Sequence, residues 1–306
     1  MVPPLAGLCP VMLTPFTDEG AVDHAALDCL IEFYLGHGAT ALFAVCQSSE
    51  IAQLDPGERL AATRRVVARV AGRVPVVAGI SWPVARDGIA PGAGLIARTH
   101  DAGAAAVVLL ASHLVAVDEP EERLRERCLA LMTASGELPL GLYECPQPYL
   151  RRLSPALVGE LAHSGRFHFY KDVACDSEAL RSKLAAAANT PLRLFNPHVP
   201  TALAGLAAGA AGLCPCAANC YPDLFATLLR LHATGDQRTA ALQNHLTVID
   251  ATVARGYPRS AKRYLQLVGL DLTTVCRTAA RPLDPDIETR IAALHAHVAQ
   301  LRLAFA

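Results

Sequence analysis

Short apolar runs recur along the chain, and each is followed by a stretch with helical periodicity. The runs are GLCPVML (7–13), TALFAVC (40–46), VPVVAGI (74–80), AAVVLLA (105–111), LPLGLYE (138–144), FHFYKDV (167–173), LRLFN (192–196) and AGLCP (211–215). Several are rich in Val or Leu and show no clean apolar–polar alternation. That suits strands buried on both faces, as in a parallel sheet. The intervening stretches carry helix start signals: Asp23 before AALDCLIEFYL, Asp55-Pro56 before GERLAATRRVVARV, Ser154-Pro155 before ALVGELA, and Asp176 before SEALRSKLAAAA. The Asp or Ser side chain accepts a free backbone N–H, and Pro at the first helical position lacks one. Glycines at GHG (36–38) and after Ala102 suit left-handed helix ends. Eight strand–helix units fit within 1–235, which predicts an α/β protein built as a catalytic (β/α)8 TIM barrel. The remainder, 236–306, reads as a C-terminal helical region of three helices, packed on the barrel or on a partner subunit. A doubly wound open sheet is the structural alternative, but no Gly-rich nucleotide loop follows the first strand.

Composition narrows the class. Hydrophobic residues make up 52% and charged residues 18%, so the chain collapses into a compact globule. The formal net charge is −1 and no Lys/Arg block stands out, which leaves no footprint for nucleic acid or an anionic membrane surface. No apolar run reaches the ~20 residues of a membrane span. The N-terminus lacks the charged region and cleavage site of a signal peptide. The ten cysteines are scattered, which reads as reduced thiols in a cytoplasmic protein. The dense cluster Cys214, Cys216 and Cys220 has no second ligand pair, so small buried residues are expected rather than a metal site.

Candidate chemistry follows from the barrel. Active residues there sit at the C-terminal ends of strands. Those ends offer Thr14; Gln47, Ser48, Ser49 and Glu50; Ser112 and His113; Tyr143 and Glu144; Lys171; and Asn196. The chain has only three lysines, and Lys171 follows an aromatic run where an ammonium is costly to bury. Desolvation lowers a lysine pKa, and a neutral lysine attacks ketones to form a Schiff base. The protonated imine is an electron sink, so no metal or organic cofactor is needed. A tyrosine within reach can move the protons, and a hydroxyl-rich turn can hold a carboxylate. Taken singly, each feature has a plainer reading: a strand-end lysine snorkels, a tyrosine packs, and Ser48-Ser49 is an ordinary turn. Asp172 decides nothing, because successive strand side chains point to opposite faces.

Together, LTPF (13–16) with DEGAVD (18–23), CQSSE (46–50) followed by LDPGER (54–59), LYECP (142–146), YKD (170–172) and GAAGLCPCAANCYP (209–222) resemble the dihydrodipicolinate synthase/N-acetylneuraminate lyase family along nearly the whole chain. The resemblance implies a pyruvate-handling class I aldolase or lyase, oligomeric as a dimer or tetramer. It implies Lys171 as the imine-forming lysine and Tyr143 as the proton-transfer phenol. Ser48 and the amides around Ser49 would hold the pyruvate carboxylate.

The departures from that pattern shape the expected function. Gln47 stands where the synthases have a relay threonine, and His113 and Leu114 stand where they have paired tyrosines. Pro148 occupies the place of a carboxylate-binding arginine, although Arg151 and Arg152 follow closely. NPHV (196–199) replaces SGDD, and Cys46 and Ser49 fill two glycine positions. Glu144 replaces the usual Asn and is expected to bring an extra carboxylate near the pocket. The expected substrates are therefore pyruvate or another 2-keto acid with a neutral or polyhydroxylated aldehyde, or a 2-keto sugar acid that is cleaved or dehydrated. Gln47, Ser48, Ser49, Glu144, His113 and Asn196 are the expected substrate contacts. The C-terminal helices and ASHL (111–114) are expected subunit contacts. The rival reading is a barrel without turnover that binds a 2-keto acid as a sensor.

Overall fold

The computed structural model describes residues 4–306, with the backbone alone for residues 85 and 86. Eight strands form one parallel sheet: β1 (Gly7–Leu8), β2 (Leu42–Phe43), β3 (Val76–Ile80), β4 (Ala106–Leu110), β5 (Leu140–Tyr143), β6 (Phe167–Lys171), β7 (Arg193–Asn196) and β8 (Gly212–Leu213). The order β1-β8-β7-β6-β5-β4-β3-β2 leaves β1 and β2 at the two ends. A parallel bridge between Val11 and Phe43 joins these ends, with Met12 N–H donating to Phe43 O and Phe43 N–H to Pro10 O, both at 3.0 Å. The sheet thus closes into the expected (β/α)8 barrel with a C-terminal helical extension. Each strand lies inside one of the apolar runs.

The start signals act as their chemistry requires. Asp23 caps His24–Gly36, Asp55 caps Pro56–Val70 with Glu58 reaching back to Asp55 N–H, Ser154 caps Pro155–His163, and Asp176 caps Ser177–Ala186.

Inside the barrel the rings of Phe43, Phe169 and Phe195 pack in sequence, with centroids 5.3 and 5.1 Å apart. All three belong to the buried apolar core of the barrel. After the eighth strand, helices Thr239–Ala254, Arg259–Leu267 and Pro285–Ala304 share one apolar cluster with the barrel, through Leu246, Leu265, Ile291 and Leu301. Arg302 makes a two-pronged bond to Asp223 at 2.6 and 3.0 Å. The segment Ala111–Leu114 does not present the contact surface expected of it. Ala111, Ser112 and Leu114 are buried in this chain's own core, because the loop turns back over β4 as a short helical turn.

Barrel closure leaves no room at β8. A Cβ on Gly212 would stand 1.9 Å from Gly7 O, a backbone atom that cannot move aside. Gly212→Ala is therefore expected to lower stability by about 2–3 kcal/mol, read as a lower urea midpoint with an unchanged slope.

Candidate active site

The ladder between β5 and β6 pairs Tyr143 directly with Lys171. Partners in register share a face, and both side chains enter the barrel. Lys171 is 3% exposed and its Nζ lies 4.6 Å from the centre of the Tyr143 ring, within cation–π range. Among the described residues, no carboxylate lies within ion-pair distance of this nitrogen. Its neighbours are thiols.

Burial is the largest influence on Lys171 and acts downward. Cys214, Cys216, Cys46 and Cys145 act upward when they carry charge, and with all of them charged the net direction is upward. Burial, however, pushes the Cys214 thiol up to about 12 and Cys145 up to about 11, and it also raises Cys46. These three are uncharged near pH 7, so the upward pull of most of the ring is absent there and the downward effect of burial prevails. Burial raises the Tyr143 phenol well above its ordinary value, so it holds its proton.

The turn after β2 is built around Ser49. Its hydroxyl lies 2.6 Å from Met12 O and 2.8 Å from Ala44 O, and it accepts from Cys46 N–H at 3.1 Å. Cys46 and Ser49, which occupy glycine positions of the family pattern, thus close on each other. Ser49 knits the turn and does not face the mouth; its N–H is already bonded to Cys46 O. Ser48 differs. Its hydroxyl lies 3.9 Å from Cys216 Sγ and close enough to the Tyr257 phenol to act downward on that group's pKa, against the larger upward effect of burial. Glu50 follows in a left-handed conformation, φ 59°, a strained state for a non-glycine residue. Its carboxylate accepts from Lys262 Nζ at 3.1 Å and Thr278 N–H at 2.7 Å, so two C-terminal residues hold the turn in that shape.

A cavity of about 510 Å³ opens beside this turn, lined by Gln47, Gln53, His113, Gln147 and Tyr257 among others. Among the described residues no arginine or lysine lines it, and the one carboxylate that does, Glu50, is bound to Lys262. Gln47 Oε1 accepts from Cys145 Sγ at 3.6 Å. His113 Nδ1 meets Ser81 Oγ at 3.1 Å, and burial pulls the His113 pKa down, which favours the neutral ring. Ser112 Oγ donates to Gln147 O at 2.7 Å and ties the loops after β4 and β5 together.

Two expected substrate contacts lie elsewhere. Glu144 is 0% exposed on the outer face of β5, because Tyr143 before it points inward. Its carboxylate accepts from Lys183 Nζ (2.6 Å), Tyr170 OH (2.6 Å), Leu153 N–H (2.7 Å) and Val173 N–H (3.0 Å). It brings no charge to the pocket. Asn196 is spent on its own loop: its amide nitrogen donates to Thr201 O and its oxygen accepts from His198 N–H. In the cysteine cluster, Cys214 and Cys220 are buried as expected, whereas Cys216 is exposed at the mouth. Tyr257 went unrecognised in the sequence. It lies between two C-terminal helices, and nothing local to it points toward the distant QSS turn. Its phenol accepts from Asn219 Nδ2 at 3.0 Å.

The relocation of Glu144 has a measurable consequence. Glu144→Ala takes one of two carboxylates from the buried Lys183 ammonium and leaves the Tyr170 hydroxyl and two backbone N–H groups without their acceptor, and the expected loss is about 3–5 kcal/mol of stability. A residue that only touches substrate would leave the denaturation midpoint near that of the unmodified protein.

The sequence profile of the dihydrodipicolinate synthetase family matches residues 4–298. The chain is 27% identical over 277 residues to the 4-hydroxy-tetrahydrodipicolinate synthase of Bacillus velezensis, covering 90% of this chain and 93% of that one. It is 30% identical over 241 residues to the enzyme of the same name from Methylococcus capsulatus, covering 78% and 80%. Among solved structures, a dihydrodipicolinate synthase of Bacillus anthracis superposes with a TM-score of 0.86 at 23% identity, over 97% of this chain and 99% of that one. YagE of E. coli K12, a prophage protein of the dihydrodipicolinic acid synthase family solved in complex with pyruvate, superposes with a TM-score of 0.84 at 27% identity, over 98% and 99%. The chain belongs to the dihydrodipicolinate synthetase family, whose members are class I pyruvate-dependent lyases that form a lysine Schiff base.

Proposed function

We propose that this protein is a Schiff-base lyase or aldolase that joins pyruvate, or another 2-keto acid, to a neutral polyhydroxylated aldehyde, or runs the reverse cleavage. The observation that carries the reading is the register pair Tyr143–Lys171: a buried amine over a phenol, with no carboxylate to hold it charged. The pyruvate-bound relative YagE supports the choice of keto acid. The cavity supports the choice of aldehyde. Its amides and imidazole offer hydrogen bonds to hydroxyls, and Pro148 stands where the synthases place an arginine for a second carboxylate. Glu144 does not select against an anionic aldehyde, since that carboxylate is already paired outside the barrel.

The steps follow from the geometry. Neutral Lys171 adds through nitrogen to the ketone carbon, and the ketone oxygen takes a proton. Tyr143 protonates the resulting hydroxyl, water leaves, and the iminium forms. Transfer of a proton from the neighbouring carbon to the Tyr143 phenolate left by that step gives the enamine. That carbon attacks the aldehyde, whose oxygen is protonated. Water then hydrolyses the imine and restores the amine. Ser48 and Tyr257 hold the keto acid's carboxylate. Gln47 orients the aldehyde, since an amide does not titrate usefully. The assembly is a homo-oligomer on the family pattern.

Incubation with pyruvate and borohydride is expected to add one reduced pyruvate to Lys171, read by intact mass and peptide mapping. Lys171→Ala abolishes the adduct, and Tyr143→Phe slows turnover by roughly 10²–10⁴-fold, the range for losing a general acid–base. Efficient turnover of pyruvate with aspartate semialdehyde overturns the aldehyde assignment. Trapping without turnover on a broad aldehyde panel favours a keto-acid sensor instead.

A further inference from the structure

The chain's other two lysines are buried as well, and Lys183 sits where it can act on the site. It projects from helix Ser177–Ala186 onto the outer faces of β5 and β6 and is 2% exposed. Its ammonium has three protons and three acceptors: Glu144 Oε1 at 2.6 Å, Asp172 Oδ1 at 2.8 Å and Tyr170 OH at 3.0 Å. Glu144 directly follows Tyr143, and Asp172 directly follows Lys171. One ammonium outside the barrel therefore holds the backbone immediately beyond both reacting side chains inside it. The strand ladder weakens at the same place. β5 ends at Tyr143 and β6 at Lys171, and the next amide bonds are long: Glu144 N–H to Lys171 O at 3.2 Å and Asp172 N–H to Phe195 O at 3.3 Å. The same carboxylates also fasten the adjoining loops, through Leu153 N–H and Val173 N–H on Glu144 and Ala174 N–H on Asp172.

A buried ionic cluster is a poor device for stability alone, because desolvation of its charges offsets most of their attraction. What it supplies is direction: hydrogen bonds of fixed length from one rigid helix to two strand ends. We propose that Lys183 is a positioning residue, which fixes the relative placement of Lys171 and Tyr143 by clamping Glu144 and Asp172 from behind the sheet. This rests on the imine reading above. A shift of about 1 Å between reacting groups costs up to about 100-fold in rate, so the clamp acts on the imine-forming step and leaves pyruvate binding alone.

The test is rapid-quench borohydride trapping at 25 °C over a range of pyruvate concentrations, run beside a thermal melt. The variants are Lys183→Met and the charge-free triple Lys183→Met/Glu144→Gln/Asp172→Asn, which strands no buried charge and stays folded if the single variant does not. Both are expected to lower the limiting trapping rate by at least about tenfold, with the half-saturating pyruvate concentration within about twofold of the unmodified protein. A limiting rate in the triple variant within about threefold of the unmodified protein, whatever the melting temperature, means the cluster only stabilises the fold and overturns the proposal. So does a loss carried entirely by the half-saturating concentration. Failure of the unmodified protein to form any adduct overturns the imine reading, and the positioning role with it.

Discussion

A buried amine loses its proton near neutral pH only where no opposite charge holds it, and among the described residues the barrel mouth keeps every carboxylate out of ion-pair reach of Lys171. Lys171 is buried as deeply as the other two lysines. Lys183 and Lys262 both meet carboxylates, at 2.6 and 3.1 Å. A buried ammonium with such a partner stays charged, since breaking the pair is costly. Lys171 is surrounded instead by a tyrosine and by thiols, of which Cys46, Cys145 and Cys214 are buried and held in their neutral form. What sets Lys171 apart from the other two lysines is what faces its nitrogen, not its depth.

The same contrast explains how the rest of the molecule is attached to the site. Carboxylates that follow inward-pointing residues are turned outward and taken up by lysines from helices. Glu144 and Asp172 tie the helix after β6 to the two reacting strands, and Glu50 ties the turn after β2 to the C-terminal region. Neither connection reaches the cavity as free charge. Among the described residues the cavity is left to amides, an imidazole whose neutral form burial favours, and the Tyr257 phenol.

Much of this was legible in the sequence. The eight apolar runs each contain a strand, because strands buried on both faces need uninterrupted apolar side chains. The Asp and Ser caps start their helices, because that chemistry is local. The placement of Lys171 and Tyr143 at the ends of their strands could be read from the apolar runs and from family motifs. Glu144 was misplaced although the period of two was available: if Tyr143 faces in, its neighbour faces out, and only the partner on the helix remained unknown. Asn196 looked like a pocket residue because it ends β7, yet its short side chain satisfies its own loop first. Ser49 was credited with a carboxylate contact, but a residue in a glycine position must first resolve crowding in its own turn. Tyr257 could not be found from local pattern, because its meeting with Ser48 depends on how the final helices wrap the barrel.

The sulfur ring around the reacting amine ties this chemistry to a redox state. Cys216 is exposed at the mouth, and negative charge on it raises the Lys171 pKa. Oxidation of that sulfur to a sulfinate would install a permanent anion and keep the nitrogen protonated. On the proposed chemistry a reducing milieu would then serve the nucleophile as well as keep the thiols free.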